Sequence, residues 1–210
     1  MAELILLSER MADRSRPSRS TRPAFFFELG CPLSYLAAEQ AERQLGDLDW
    51  IPTARVAPDR CRDEHELCEL LERAGQQAAA LRLPLVKPDN FPAEYLRAWR
   101  AAAFAAEHGA GRQFALAASR LAYCGGYDLD EASVLADAAL ASGLSPGEVL
   151  AAAGEAIRDA QLFATAKGLL ARGVGSTPAV RVGGRWFEGP GAVADAASYT
   201  LVRELYGTAG

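Results

Sequence analysis

Long apolar runs, an excess of basic residues and a paired-cysteine framework are all missing from this chain, and each absence removes a class of function. No apolar stretch approaches the roughly 20 residues that a helical membrane span needs, so no membrane partner is expected. Asp and Glu number 27 against 22 Lys and Arg, a net charge of -5, which gives no general electrostatic footing for nucleic acid. The four cysteines, Cys31, Cys61, Cys68 and Cys124, do not form a paired C-x-x-C zinc framework. The two histidines, His65 and His108, are too few and too scattered to assign a general base. The opening Leu4-Ile5-Leu6-Leu7 is short for a secretory core and precedes its charges instead of following them. A cytoplasmic location is therefore expected, and with it reduced thiols.

What is present is a chain of 210 residues, half of them apolar, enough for a sizeable core. Residues 1–22 read as a solvated basic tail, with Arg10, Arg14, Arg16, Arg19 and Arg22 among serines and prolines. Ala24 to Glu28 is short, aromatic and bounded by Pro23 and Gly30, the pattern of a buried strand. A helix is expected over Pro32–Leu45, with proline in its first turn and Gly46 at its end. Trp50 to Val56 is a second strand candidate, and Pro52 suggests an edge or irregular position.

Helices are then expected over 63–83, 93–108, 113–123 and 130–142, with another starting at Ser145. There Pro146 and a capping-box Glu148 mark the start. A further helix over 162–172 reads as a possible continuation of it. Ala179–Val182 and Arg185–Glu188 form a hairpin across Gly183-Gly184, and Ala192–Leu205 closes the chain as a helix. The order is βαβ, a helical block, then ββα. It divides the chain into two halves of one α/β domain, 23–57 and 173–207, around an inserted helical subdomain, 58–172.

Chemistry concentrates at Cys31. It follows the first strand and stands at the N-terminus of the first helix, where free backbone N–H groups would favour a thiolate. The alternative is a small residue filling space beside Pro32. Thr177-Pro178 enters the third strand after a glycine-rich turn and is a candidate cis bond. This loop can lie beside the first helix, where the backbone of Thr177 would pair with an extended thiol peptide. Cys61, His65 and Cys68, at i, i+4 and i+7, share a helical face. They match no zinc motif, and the expectation is a partly buried face holding no metal. Tyr95 and Trp99 read as core.

The run F-F-F-E-L-G-C-P-L-S-Y-L-A, the later P-D-N-F-P, and T-A-K-G-L-L-A-R-G-V-G-S-T-P-A-V-R-V-G-G-R-W-F-E-G together resemble the DsbA-like thioredoxin fold. They are most similar to its branch of 2-hydroxychromene-2-carboxylate isomerases and kappa-class glutathione transferases, over roughly residues 24 to 205. The resemblance implies a thioredoxin-like α/β fold and a thiol-dependent enzyme. Its reaction would be glutathione-linked isomerisation or thiol–disulfide exchange, on a small-molecule or thiol/disulfide substrate. Glutathione is the implied cofactor, and a homodimer is a possible assembly. Cys31 takes the position of the serine that holds the glutathione thiolate in the branch, or of the attacking cysteine in the oxidoreductases. Ser34 then takes the position of the resolving cysteine. Cys31 and Ser34 are the implied catalytic pair, and Pro32, Tyr35, Thr177 and Pro178 the implied binding residues. The branch usually carries an acidic–basic pair after its last strand; here Gly189-Pro190-Gly191 stands there, with no charge until Asp195. The competing reading is a binding module that keeps the fold without the chemistry.

Overall fold

The computed structural model describes residues 22–56, 64–88 and 90–206. The basic tail, apart from Arg22, and Cys61 lie outside the described residues. Four short strands form one sheet in the order β2-β1-β3-β4. Strand β1 (Ala24–Phe27) pairs in parallel with β2 (Asp49–Pro52) and antiparallel with β3 (Ala179–Val182). Strand β4 (Arg185–Glu188) returns antiparallel along β3. The aromatic run is central because both its faces are covered. Phe25 and Phe27 meet Trp50 at centroid distances of 4.9 and 6.0 Å, and Phe26 meets Trp186 at 5.1 Å on the other face. Each buried Phe contributes on the order of 1.5–3 kcal/mol.

Helix α1 (Pro32–Leu45) begins where Pro32 needs no N–H partner and ends at Gly46, whose φ of 70° suits glycine. It is followed after β2 by α2 (Glu64–Leu81), α3 (Leu96–Glu107), α4 (Gly111–Tyr123), α5 (Ala132–Ala141) and α6 (Pro146–Gly154). A single 3₁₀ turn, Ala156–Arg158, leads into α7 (Asp159–Leu170), and α8 (Ala192–Tyr206) closes the fold. Helix α8 packs on β3, β4 and α1; α3 and α4 pack against β2. One apolar cluster runs from the sheet into the helices, joining Phe25 and Val180 to Phe114, Leu135 and Leu162.

Several boundaries differ from the sequence reading. Strand β2 stops at Pro52; after it Thr53 gives its N–H to the Phe27 carbonyl at 3.0 Å and the ladder ends. Helix α3 starts at Leu96 instead of Ala93, because the chain leaves the cis Phe91–Pro92 bond and enters the helix through Tyr95. Helices α6 and α7 are not continuous: Glu155 is extended, at φ -98° and ψ 128°, and breaks the path. Ser145 occupies the N-cap of α6, but its side chain makes no capping hydrogen bond. No helix among the described residues is long and apolar enough to cross a membrane.

Candidate functional site

The turn from β1 into α1 places Cys31 at the N-cap, with φ -109° and ψ 117°, and Pro32 at the first helical position. Its N–H returns to the Glu28 carbonyl at 3.2 Å, closing a tight turn. The cis Thr177–Pro178 bond brings the loop before β3 against this turn. There the Cys31 thiol donates to the Thr177 carbonyl, Sγ to O 3.5 Å. Two segments 146 positions apart thus meet at one sulfur.

Both border a cavity of about 360 Å³, within the range of small-molecule sites. Glu28, Gly30, Cys31 and Leu33 form one wall, Gly175, Ser176 and Thr177 another, and Gly189 and Pro190 a third. Arg55, Phe91 and Pro92, with Glu66, Glu69, Leu70 and Arg73 of α2, complete it. Gln77 of α2 donates to the Pro190 carbonyl at 2.8 Å, tying the helix to the segment where the branch would carry its charged pair.

Glu28 is the residue that the sequence reading left without a role. It is 4% exposed, and its carboxylate accepts from Arg55 Nε at 3.4 Å. Burial raises its carboxyl above the usual range, and the Arg55 charge opposes that rise. Arg55 is in turn anchored to the Ala93 carbonyl at 2.8 Å. A Cβ on Gly30 would stand 2.9 Å from the Tyr95 ring and 3.0 Å from Glu28 Oε1, so only glycine lets the turn pass this close. An acid closing a run of buried aromatics was the available signal for Glu28.

The thiol itself departs from expectation. Burial, then the nearby Glu28 charge, push Cys31 up to about 11, while the N–H groups of Ser34 and Leu33 and the Ser34 hydroxyl draw it down without prevailing. Burial and the Glu28 carboxylate thus oppose the thiolate that the helix end would favour, and the thiol hydrogen rests on the Thr177 carbonyl.

The other sequence-selected residues divide clearly. Ser34 lies beneath Cys31; its hydroxyl oxygen accepts the Glu28 N–H at 3.4 Å. Thr177 lines the cavity, and Pro32 and Pro178 shape its two converging turns. Tyr35 does not line it. Its ring stacks on Tyr123 at 5.7 Å, and its hydroxyl reaches the Pro84 carbonyl at 3.1 Å and Cys124 Sγ at 3.3 Å. Tyr35 is thus a core residue, placed one helical turn from Cys31 but directed elsewhere. Tyr95 and Trp99 are buried as expected. His65 and Cys68 sit on exposed surface of α2, His65 paired with Glu69 at 3.3 Å, not on a partly buried face. Among the described residues no group of three or more His, Cys, Asp or Glu gathers to hold a metal.

A thiol at the start of a helix thus meets a cis-proline loop at one end of neighbouring strands of a mixed sheet. Residues 24–206 match the model of the DSBA-like thioredoxin domain, and the chain belongs to that family. Its fold is the thioredoxin-like one. A structure of 2-hydroxychromene-2-carboxylate isomerase aligns with a TM-score of 0.71 at 17% identity, covering 90% of this chain and 99% of that one. The cytosolic disulfide reductase DsbM from Pseudomonas aeruginosa aligns at 0.61 and 20% identity, over 87% and 98% of the two chains. The same reductase with GSH aligns at 0.59 and 20% identity, again over 87% and 98%. No curated protein matches the sequence.

Proposed function

We propose that this protein is a glutathione-linked enzyme in which Cys31 holds the glutathione thiolate as a hydrogen-bond donor. The observation that carries this is a thiol at the cavity wall whose ionisation burial and Glu28 oppose; its one hydrogen rests on the Thr177 carbonyl and would turn from it to the thiolate when glutathione binds. Such a donor does for a bound thiolate what the branch's serine does. Ser34 at the resolving position leaves no partner for a disulfide within the motif.

In the reaction so supported, glutathione's sulfur adds to an electron-poor carbon–carbon double bond, turning it into a single bond. Rotation follows, and elimination of the thiolate restores the double bond in its new geometry. No net oxidation occurs. The substrate is a small unsaturated molecule that fits beside Thr177 within the cavity. Arg55 and Arg73 supply positive charge for glutathione's carboxylates where the branch's charged pair is replaced by Gly189-Pro190-Gly191. Residues 58–172 serve as the substrate-facing subdomain, since α2 forms one cavity wall. The likeness to an isomerase and to a disulfide reductase with GSH supports this class, and a cytoplasmic setting suits its free thiols.

Exchange is the second reading, favoured by the cysteine itself. Cys31, once deprotonated, would attack glutathione disulfide, forming a mixed disulfide and releasing one glutathione. Cys31→Ser separates the two. Isomerisation of an unsaturated oxo-acid with glutathione survives in Cys31→Ser within about tenfold, and falls at least about a hundredfold in Cys31→Ala, the range of a lost positioned donor. Exchange disappears in both. Loss of isomerisation in Cys31→Ser, with exchange present in the wild type, overturns the donor role. Unchanged glutathione binding in both variants, with no turnover by the wild type, favours a binding module.

A further inference from the structure

The geometry points to Glu188 as a positioning residue for the thiol-binding loop, a role that rests on the glutathione reading above. Glu188 is the last residue of β4 and touches neither Cys31 nor the cavity. One of its oxygens, Oε2, accepts the Gly175 N–H at 2.7 Å and the Ser176 N–H at 3.1 Å, with the Ser176 hydroxyl at 3.5 Å. Two consecutive N–H groups converging on one anion make a backbone nest, here filled by the chain's own carboxylate. Charge-assisted bonds of this kind are the stronger ones.

The residue after Glu188 extends the bracket. Gly189 gives its N–H to the Pro178 carbonyl at 2.9 Å. Residues 188 and 189 therefore hold the loop at 175–176 and again at 178, leaving Thr177 between two fixed points. Thr177 supplies the carbonyl that meets Cys31 and the backbone groups that would align a peptide-like thiol. Upstream, Val174 is buried and gives its N–H to the Leu169 carbonyl at 3.1 Å, so the Glu188 carboxylate holds the two residues that lead from this anchor to Thr177. A side chain on an exposed strand end thus sets the register of the cavity wall opposite the sulfur.

The test uses the full chain, with glutathione as the probe. Glu188→Leu removes the acceptor, and Glu188→Gln keeps a neutral oxygen of the same reach. Glu188→Leu is expected to weaken glutathione binding about tenfold, the loss of one strong hydrogen-bond set. Glu188→Gln should stay within about threefold of wild type on the same scale. Hydrogen exchange at the Gly175 and Ser176 amides should accelerate in Glu188→Leu alone. Exchange at the Leu135 amide, in the helical block away from this loop, should remain the same in all three, which general loosening of the fold would not permit. If Glu188→Leu fails to fold, Glu188→Ala takes its place. Wild-type binding with equal affinity in the Leu variant, or unchanged amide exchange there, overturns the positioning role alone. No glutathione binding by the wild type overturns the glutathione reading, and this inference with it.

Discussion

Cys31 and Glu28 stand at the two ends of a four-residue turn, and the acid acts on the thiol through space instead of through a bond. In the alkaline range where the thiol titrates, the carboxylate opposes its ionisation. Glu28→Gln removes that charge, so the Cys31 alkylation midpoint should move down by about one unit. An unmoved midpoint would assign the whole rise to burial. The same shift affects stability. The folded thiol retains its proton from the ordinary value of 9.0 to about 11, where the unfolded thiol loses it. Folding stability should therefore fall as pH rises through that window. Cys31→Ala should flatten this part of the pH profile of urea unfolding. Proline and turn chemistry mark the two loops in the sequence, so the meeting of Cys31 and Thr177 was legible in placement, while Ser34 came only with the resemblance. The thiol's state was not legible, since it depends on burial and on an acid that the fold turns inward. Tyr35, which the resemblance implied as a binding residue, instead stacks its ring on Tyr123, a contact that motif position does not reveal.

Among the elements, strands β3 and β4 and helix α1 fall where proline and glycine punctuation puts them. Alanine-rich helices carry weaker boundary signals, so the starts of α3 and α4 and the break at Glu155 were missed. That break has a structural partner. Arg100 of α3 meets Asp159, at the start of α7, through two bonds of 2.7 and 2.6 Å. These bonds hold the Asp159 carboxyl below its usual range. Their stabilisation is present above the ordinary value of 3.8 and is lost as pH falls through the lower folded value. Asp159→Asn should cost about 2 kcal/mol at neutral pH, the scale of hydrogen bonds to a charged group. The difference from wild type should shrink in acid. A difference of constant size across pH would show that packing, not charge, is responsible.

For the molecule as a whole, one apolar cluster joins the sheet to the helices. The chain should therefore unfold in a single transition, with tryptophan fluorescence and far-ultraviolet circular dichroism coincident in urea. Phe25→Ala, at the buried centre of the sheet, should shift both curves together by about 3–5 kcal/mol. Separate transitions would show that the helical insert is stable by itself. The same continuity fixes the site, because the cavity draws its walls from both parts and none of its chemistry belongs to one element alone.

The central claim is that Cys31 is a protonated donor and not an activated thiolate, and the pH dependence of its alkylation tests this most directly. Iodoacetamide labelling, followed at the Cys31 peptide by mass spectrometry, should give a midpoint near 11. A midpoint at or below the ordinary thiol value of 9.0 would contradict the account and make Cys31 the nucleophile of an exchange enzyme.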